Sequence, residues 1–224
     1  MRKFIILALA TLLLSSCAEQ VTRLARYPKM YDEQPLSIVV MPPINRTNHV
    51  EAKDYFYTTL YAPLCEKGYY VYSPMMTMEM FQAESAYDAE LFLEGSLSQF
   101  REVLGADAAM FTIIKSWKRS NLTGSLTVGV EYILRSTKTG ETIYSREGLI
   151  SVDRRVKSGT GGLFGALIDM AATVASTAST DNVVAGRACT MYVLSDMPEG
   201  KYGTQFNKDQ KMAAGKAYVE ATVQ

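Results

Sequence analysis

The chain has 224 residues, 48% of them hydrophobic, and 23 basic side chains balanced by 23 acidic ones. That length suits one packed domain with short attachments, and the composition is that of a globule rather than a disordered segment. With no basic excess, the chain lacks the positive face that nucleic-acid binding needs to release phosphate counterions, which argues against a nucleic-acid partner.

Arg2-Lys3 precede an almost unbroken apolar run, Phe4 to Leu14, which closes on Ser15-Ser16-Cys17. Roughly a dozen apolar residues suit the core of a secretory signal and fall short of the about 20 that a spanning helix needs. A small-residue cluster ending in cysteine predicts a lipoprotein signal over residues 1–16, with Cys17 the first residue of the mature chain. Its thiol is expected to carry a diacylglycerol and its freed amine a further acyl chain, and each buried methylene adds about 0.8 kcal/mol to membrane attachment. Ala18, in place of an aspartate, favours sorting to the outer membrane, with the globule on the periplasmic face and surface exposure left open. Removal of Arg2 and Lys3 leaves 21 basic residues against 23 acidic, a net charge of about −2.

Residues 17–36 are polar and turn-rich, with Pro28 and Pro35, and read as a tether. Ser37 to Met41 is a β-branched apolar run suited to a strand buried on both faces, and Pro42-Pro43 is expected to stop it. A polar loop, Asn45 to Asn48, leads to a helix from Val50 to Ala62 with Phe56, Leu60 and Leu64 on one face. Pro63 should kink or restart this helix, and Gly68 should end it. Tyr69 to Tyr72 reads as the second strand. Pro74 opens a helix to Ala83 whose methionines read as core filling rather than metal ligands.

A short helix over Leu97–Leu104 ends at Gly105. Ala108 to Trp117 reads as a central third strand. After a turn at Asn121 to Gly124, Val128, Val130, Tyr132 and Leu134 alternate with polar or small residues, the period of a half-buried strand. Lys138 to Glu141 is a hairpin turn whose Gly140 supplies positive φ, and Thr142 to Val156 returns as a fifth strand. Gly159 to Gly165 lacks the lysine and hydroxyl residue of a phosphate-cradling loop and reads as a hinge. Helices are predicted over Leu163–Thr180, rich in small residues, and over Val183–Leu194 behind an Asp181-Asn182 cap. Residues 196–224 read as a weakly ordered tail, leaving 37–195 as the domain. The fold class is therefore α/β (α+β): a mixed sheet of about five strands flanked by helices, its first three strands parallel through right-handed crossovers, with a C-terminal helical segment.

The candidate chemistry is sparse. Cys65 and Cys189 could pair in an oxidising compartment; two separate buried thiols acting as small hydrophobes are the alternative, and the sequence leaves both open. His49 is the one histidine. It has no metal-ligand spacing around it and reads as an exposed loop residue, so neither a metal nor a cofactor is expected. Asn45, Arg46 and Thr47 lie where the first strand ends, the side on which open α/β sheets commonly bind ligands; a ligand or partner loop is one reading and a hydrogen-bonded turn the other. Asp107 looks like a chain-turning residue without a catalytic partner.

Met41-Pro42-Pro43-Ile44-Asn45-Arg46-Thr47, Ala62-Pro63-Leu64 with Gly68-Tyr69-Tyr70-Val71, Leu104-Gly105-Ala106-Asp107-Ala108 and Thr139-Gly140-Glu141 together resemble an uncharacterised bacterial lipoprotein family that includes a meningococcal surface antigen. The resemblance runs from about Ser37 to Leu194. It implies a fold like the N-terminal domain of TolB, shared with the periplasmic domain of the curli secretion channel CsgG and with lipoprotein activators of penicillin-binding proteins. It also implies an accessory role in envelope assembly or secretion, a CsgG-like partner and no catalytic residues. The expected function is thus a non-enzymatic interaction protein, held in the membrane by its lipid and open to self-association. The alternative is a lipoprotein regulator that activates a peptidoglycan synthase. An enzyme is disfavoured, because acid–base and nucleophilic catalysis both need a positioned titratable partner.

Overall fold

A computed structural model describes residues 20–83, 88–120, 125–152 and 178–223. Two short helices open it, α1 (Arg23–Arg26) and α2 (Pro28–Glu33), followed by β1 (Ser37–Val40), β2 (Ile44–Asn45), α3 (Ala52–Thr59), α4 (Tyr61–Glu66) and β3 (Tyr70–Val71). Then come α5 (Pro74–Ala83), α6 (Glu90–Leu93), α7 (Ser98–Leu104), the long strands β4 (Ala108–Arg119), β5 (Leu126–Ser136) and β6 (Thr142–Val152), helix α8 (Ala178–Val193) and β7 (Tyr218–Val223).

The seven strands form one mixed sheet in the order β3-β1-β4-β5-β6-β7, with β2 also paired to β4. β1 runs parallel to both β3 and β4, as expected for the first three long-range pairings. β4, β5 and β6 form the antiparallel meander. Pro42-Pro43 interrupts the first strand without ending the pairing. The prolines have no N–H to donate, and the ladder resumes at once, with Ile44 opposite Ile113 and Asn45 opposite Ile114.

Period-2 alternation divides the core between the two faces of the sheet. Ile38, Val40, Ala108, Met110, Ile114, Val128, Val130, Tyr132 and Leu134 face one cluster, shared with Phe56, Leu60, Leu64 and helix α8. Val39, Met41, Ile44, Ala109, Phe111 and Ile113 face the other, closed by Phe81 and Phe100. The outer face of β5 is partly open, and there Lys115 bridges Glu131 at 2.8 Å and Glu147 at 2.7 Å.

The breaks between elements have local causes. The ring of Pro63 would strike the carbonyl of Thr59, four residues back, and α3 ends at Thr59. Gly68, Gly105 and Gly140 all take positive φ where the chain must turn.

Several expectations need correction. The sheet has seven strands rather than about five. Where it is described, the predicted tether packs on the globule: the Thr22 backbone pairs with Ala213, and α1 and α2 follow, with Tyr27, Met30 and Tyr31 buried. The tail does not hang free, for β7 adds to the sheet parallel to β6. Only Thr77 and Phe81 of α5 are fully buried, so Met75, Met76 and Met80 are exposed surface rather than core filling. Asp181 and Asn182 lie inside α8 instead of capping a second helix. Cys65 and Cys189 are free thiols, and Cys189 is fully buried in the first cluster, where burial pushes its thiol up. Cys17, the Gly159–Gly165 hinge and most of the predicted Leu163–Thr180 helix lie outside the described residues.

The two ends of the described chain are clamped together. The Tyr27 hydroxyl donates to Asp196 at 3.0 Å and the Tyr31 hydroxyl to Asp209 at 3.1 Å. Arg23 meets the fully buried Asp209 carboxylate at 3.0 Å, and the amide of Glu199 donates to the same oxygen at 3.1 Å. Arg146 reaches across from β6 to the carbonyls of Val193 and Lys216, both at 2.9 Å. A β-carbon at Gly215 would run into its guanidinium.

Candidate functional site

The loop after β2 builds itself around Asn45. Its Oδ1 accepts from the amide of Thr47 at 3.0 Å and from the Thr47 hydroxyl at 2.7 Å, while Nδ2 donates to the carbonyl of His49 at 2.7 Å. The His49 amide donates in turn to Thr47 Oγ1 at 3.1 Å. Asn45 and Thr47 are therefore the frame of a satisfied turn, as the hydrogen-bonded reading expected. Arg46 points elsewhere, to a surface pair with Glu90 at 2.6 Å, and a half-exposed pair of this kind contributes about 0–1 kcal/mol.

What the turn presents is His49. Its ring stacks on Trp117, at the end of β4, with centroids 4.8 Å apart, and Tyr55 of α3 lies 6.3 Å from it. Phe56 meets Trp117 edge-on at 6.2 Å. His49 is half-buried rather than exposed, and its Nε2 is buried with no hydrogen-bond partner. Glu51 accepts from the Tyr55 hydroxyl at 2.7 Å, and Arg119 donates to Asn182 of α8 at 3.1 Å. His49, Glu51, Tyr55, Trp117, Arg119 and Asn182, with Asn48, line a cleft of about 540 Å³. It offers an aromatic shelf, a carboxylate, a guanidinium and a carboxamide.

A second depression, of about 520 Å³, lies between α3 and α5, lined by Pro42, Pro43, Tyr57, Pro74, Met75 and Met78 among others. The Tyr57 hydroxyl ties the two helices together, donating to the carbonyl of Pro74 at 2.7 Å, beside Thr77 Oγ1 at 2.9 Å. Burial pushes that hydroxyl above its ordinary pKa. Met75 at its rim and Met76 beyond it are 74% and 66% exposed. Polarizable, unbranched side chains of this kind suit a surface that must adapt to a partner.

Sequence reasoning put a candidate loop at the carboxyl end of the first strand, where Asn45 to Thr47 do lie, but missed the aromatic shelf, since Trp117 is distant from His49 in sequence. It also missed the partners of Asp107. That carboxylate accepts from the amides of Leu36 and Ser37 and from the Ser37 hydroxyl, all at 3.0 Å, and so pins the start of β1 to the start of β4. Among the described residues, no group of three or more His, Cys, Asp or Glu side chains could hold a metal ion.

Residues 25–201 match the sequence model of the GNA1162-like lipoprotein family. The chain belongs to this family. Its similarity to the Neisseria meningitidis serogroup B lipoprotein NMB1124/NMB1162 is 27% identity over 182 residues, covering 80% of this chain and 84% of that one. The crystal structure of lipoprotein GNA1162 from Neisseria meningitidis superposes with a TM-score of 0.52 at 24% identity, over 62% of this chain and 96% of that chain. A PelC dodecamer from Paraburkholderia phytofirmans follows at a TM-score of 0.43 and 13% identity, over 72% and 88%. The matched residues take in α2 and Asp196, while Arg23 and Asp209 of the clamp lie outside them. No helix among the described residues is long and apolar enough to cross a membrane.

Proposed function

We propose that the protein is a lipid-anchored, non-enzymatic accessory of envelope assembly or secretion, attached through Cys17 at the periplasmic face of the outer membrane and acting by contact. Membership of a lipoprotein family and the signal-like start that ends at Cys17 support the anchor. The observation that carries the mode of action is the exposed methionine face of α5 beside its groove. A monomer gains nothing by leaving Met75, Met76 and Met80 in water, whereas burying them against a partner removes apolar area at about 25 cal/mol per Å². The partner we infer is a channel-forming lipoprotein of the CsgG type.

The test places a photo-crosslinking residue at Met76 in the full chain, in its own cells. The expected result is one dominant adduct with a channel-like lipoprotein, lost when Met75→Glu and Met80→Glu are added. Capture of a peptidoglycan synthase would replace this reading with that of a synthase regulator. Adducts no different from those of a crosslinker at the exposed Tyr202 would overturn it.

A further inference from the structure

The clamp fixes where the anchor must lie. The amide of Arg23 donates to the carbonyl of Met212 at 2.9 Å, Leu24 to Gln210 at 3.1 Å, and Ala214 to Val21 at 2.8 Å. Among the described residues, paired chain therefore reaches back to Val21, four residues after Cys17. Four residues span at most about 14 Å even when fully extended. A sulfur embedded by its acyl chains then holds this corner of the globule at the bilayer surface, with no long spacer between.

The chemistry of the corner suits that position. Val21 is 44%, Leu24 41% and Met212 47% exposed, and the backbone bonds just given bring the three together. Lys208, Lys211 and Lys216 are exposed within residues 208–216, while Asp209, the one acid of that stretch, is fully buried and paired with Arg23. This stretch thus shows positive charge only, although the chain as a whole carries none in excess. Apolar side chains that enter the headgroup boundary, with lysines at the level of the phosphates, are the composition of an interfacial membrane contact, and lysines near an anionic surface add to the attraction.

We propose that the corner formed by Val21, Leu24 and Met212, with Lys208, Lys211 and Lys216, rests on the anionic phospholipid surface that holds the Cys17 lipid, and so sets the orientation of the globule. This rests on the anchor reading above. Retention belongs to the acyl chains; the corner decides which faces look away from the membrane.

The experiment uses the lipidated protein, purified in detergent and reconstituted into vesicles of phosphatidylethanolamine and phosphatidylglycerol. An environment-sensitive dye is attached through Met212→Cys in a Cys65→Ser background, Cys189 being buried. A parallel sample carries the dye through Val103→Cys on α7, 73% exposed, on a helix that packs against the opposite face of the sheet. The expected result is flotation of both samples, with a blue shift and quenching by brominated phospholipid at 212 and neither at 103. Substituting Lys208→Gln, Lys211→Gln and Lys216→Gln should weaken the quenching without loss of flotation. Flotation with equal, water-like emission at both positions would overturn the membrane contact and leave the anchor standing. A blue shift at 212 that brominated lipid does not quench would assign the corner to a second copy of the chain instead. Failure to float would remove the anchor, and the proposal with it.

Discussion

Asp107 shows how a residue that looks catalytic can be wholly structural. Its carboxylate collects two backbone amides and a hydroxyl at the point where β1 and β4 begin, and hydrogen bonds to a charged group stabilise more than neutral ones. Asp107→Ala is expected to lower the unfolding free energy by about 2 kcal/mol, and Asp107→Asn by less, in urea titrations. Lys67 has the opposite character. Its ammonium donates to the carbonyls of Ser195 and Met197 at 3.3 and 3.2 Å. Burial, with the Arg23 guanidinium adding, nonetheless pulls its pKa from 10.5 down to about 8. Below pH 8 both folded and unfolded chains carry the charge, and the cost of burying it is fully present. Between about 8 and 10.5 the folded chain releases its proton first, so this group's contribution to stability rises with pH. Tyr27 and Tyr31 work against it from pH 10 upward. Burial first, then the neighbouring carboxylates, hold their hydroxyls protonated in the fold, and that stability is lost as pH rises past their ordinary value of 10.0. Thermal unfolding of Lys67→Met across pH 7–10 should lack the rise that the unaltered chain shows.

At the level of elements, α1 and α2 are only four and six residues long, too short to be stable alone. They persist because their tyrosines and Arg23 find acids near the other end of the chain. Asp209→Ala leaves a buried guanidinium, a tyrosine hydroxyl and the Glu199 amide without their acceptor, and a broken buried pair costs about 3–5 kcal/mol. Hydrogen exchange in that variant should show the amides of residues 23–33 losing protection before those of β4 and β5. The same elements explain what could be read in advance. β1 and β4 carry apolar residues on both faces and are bounded by Pro42 and Gly105, so propensity, pattern and turn chemistry agreed. The first helices and β7 gave no such agreement. Tyr218 to Val223 alternates, but it is short and mostly exposed, and its strand state comes from the open edge of β6 rather than from its own residues. The aromatic shelf was illegible for the related reason that His49 and Trp117 meet only once β2 has paired with β4.

For the molecule as a whole, the two halves of the sheet are built differently. Around β1 and β4 helices cover both faces and the core is closed; around β5 and β6 one face is left to Lys115, Glu131 and Glu147. Met75, Met76 and Met80, all exposed, lie on α5, outside both arrangements. Cys17→Ala in the full chain is expected to leave the melting temperature unchanged while moving the protein out of the membrane fraction, as read by fractionation and by circular dichroism of the released material. Retention of that variant in the membrane would contradict acylation at this sulfur.

The clamp also sets an order of events in synthesis. The chain is made from its amino end, yet Tyr31 has no acceptor until Asp209 has followed. Until then α1 and α2, too short to persist alone, have nothing to settle against. Only the arrival of residues 196–209 draws them into the globule, so the first helices to be made are among the last to find their places.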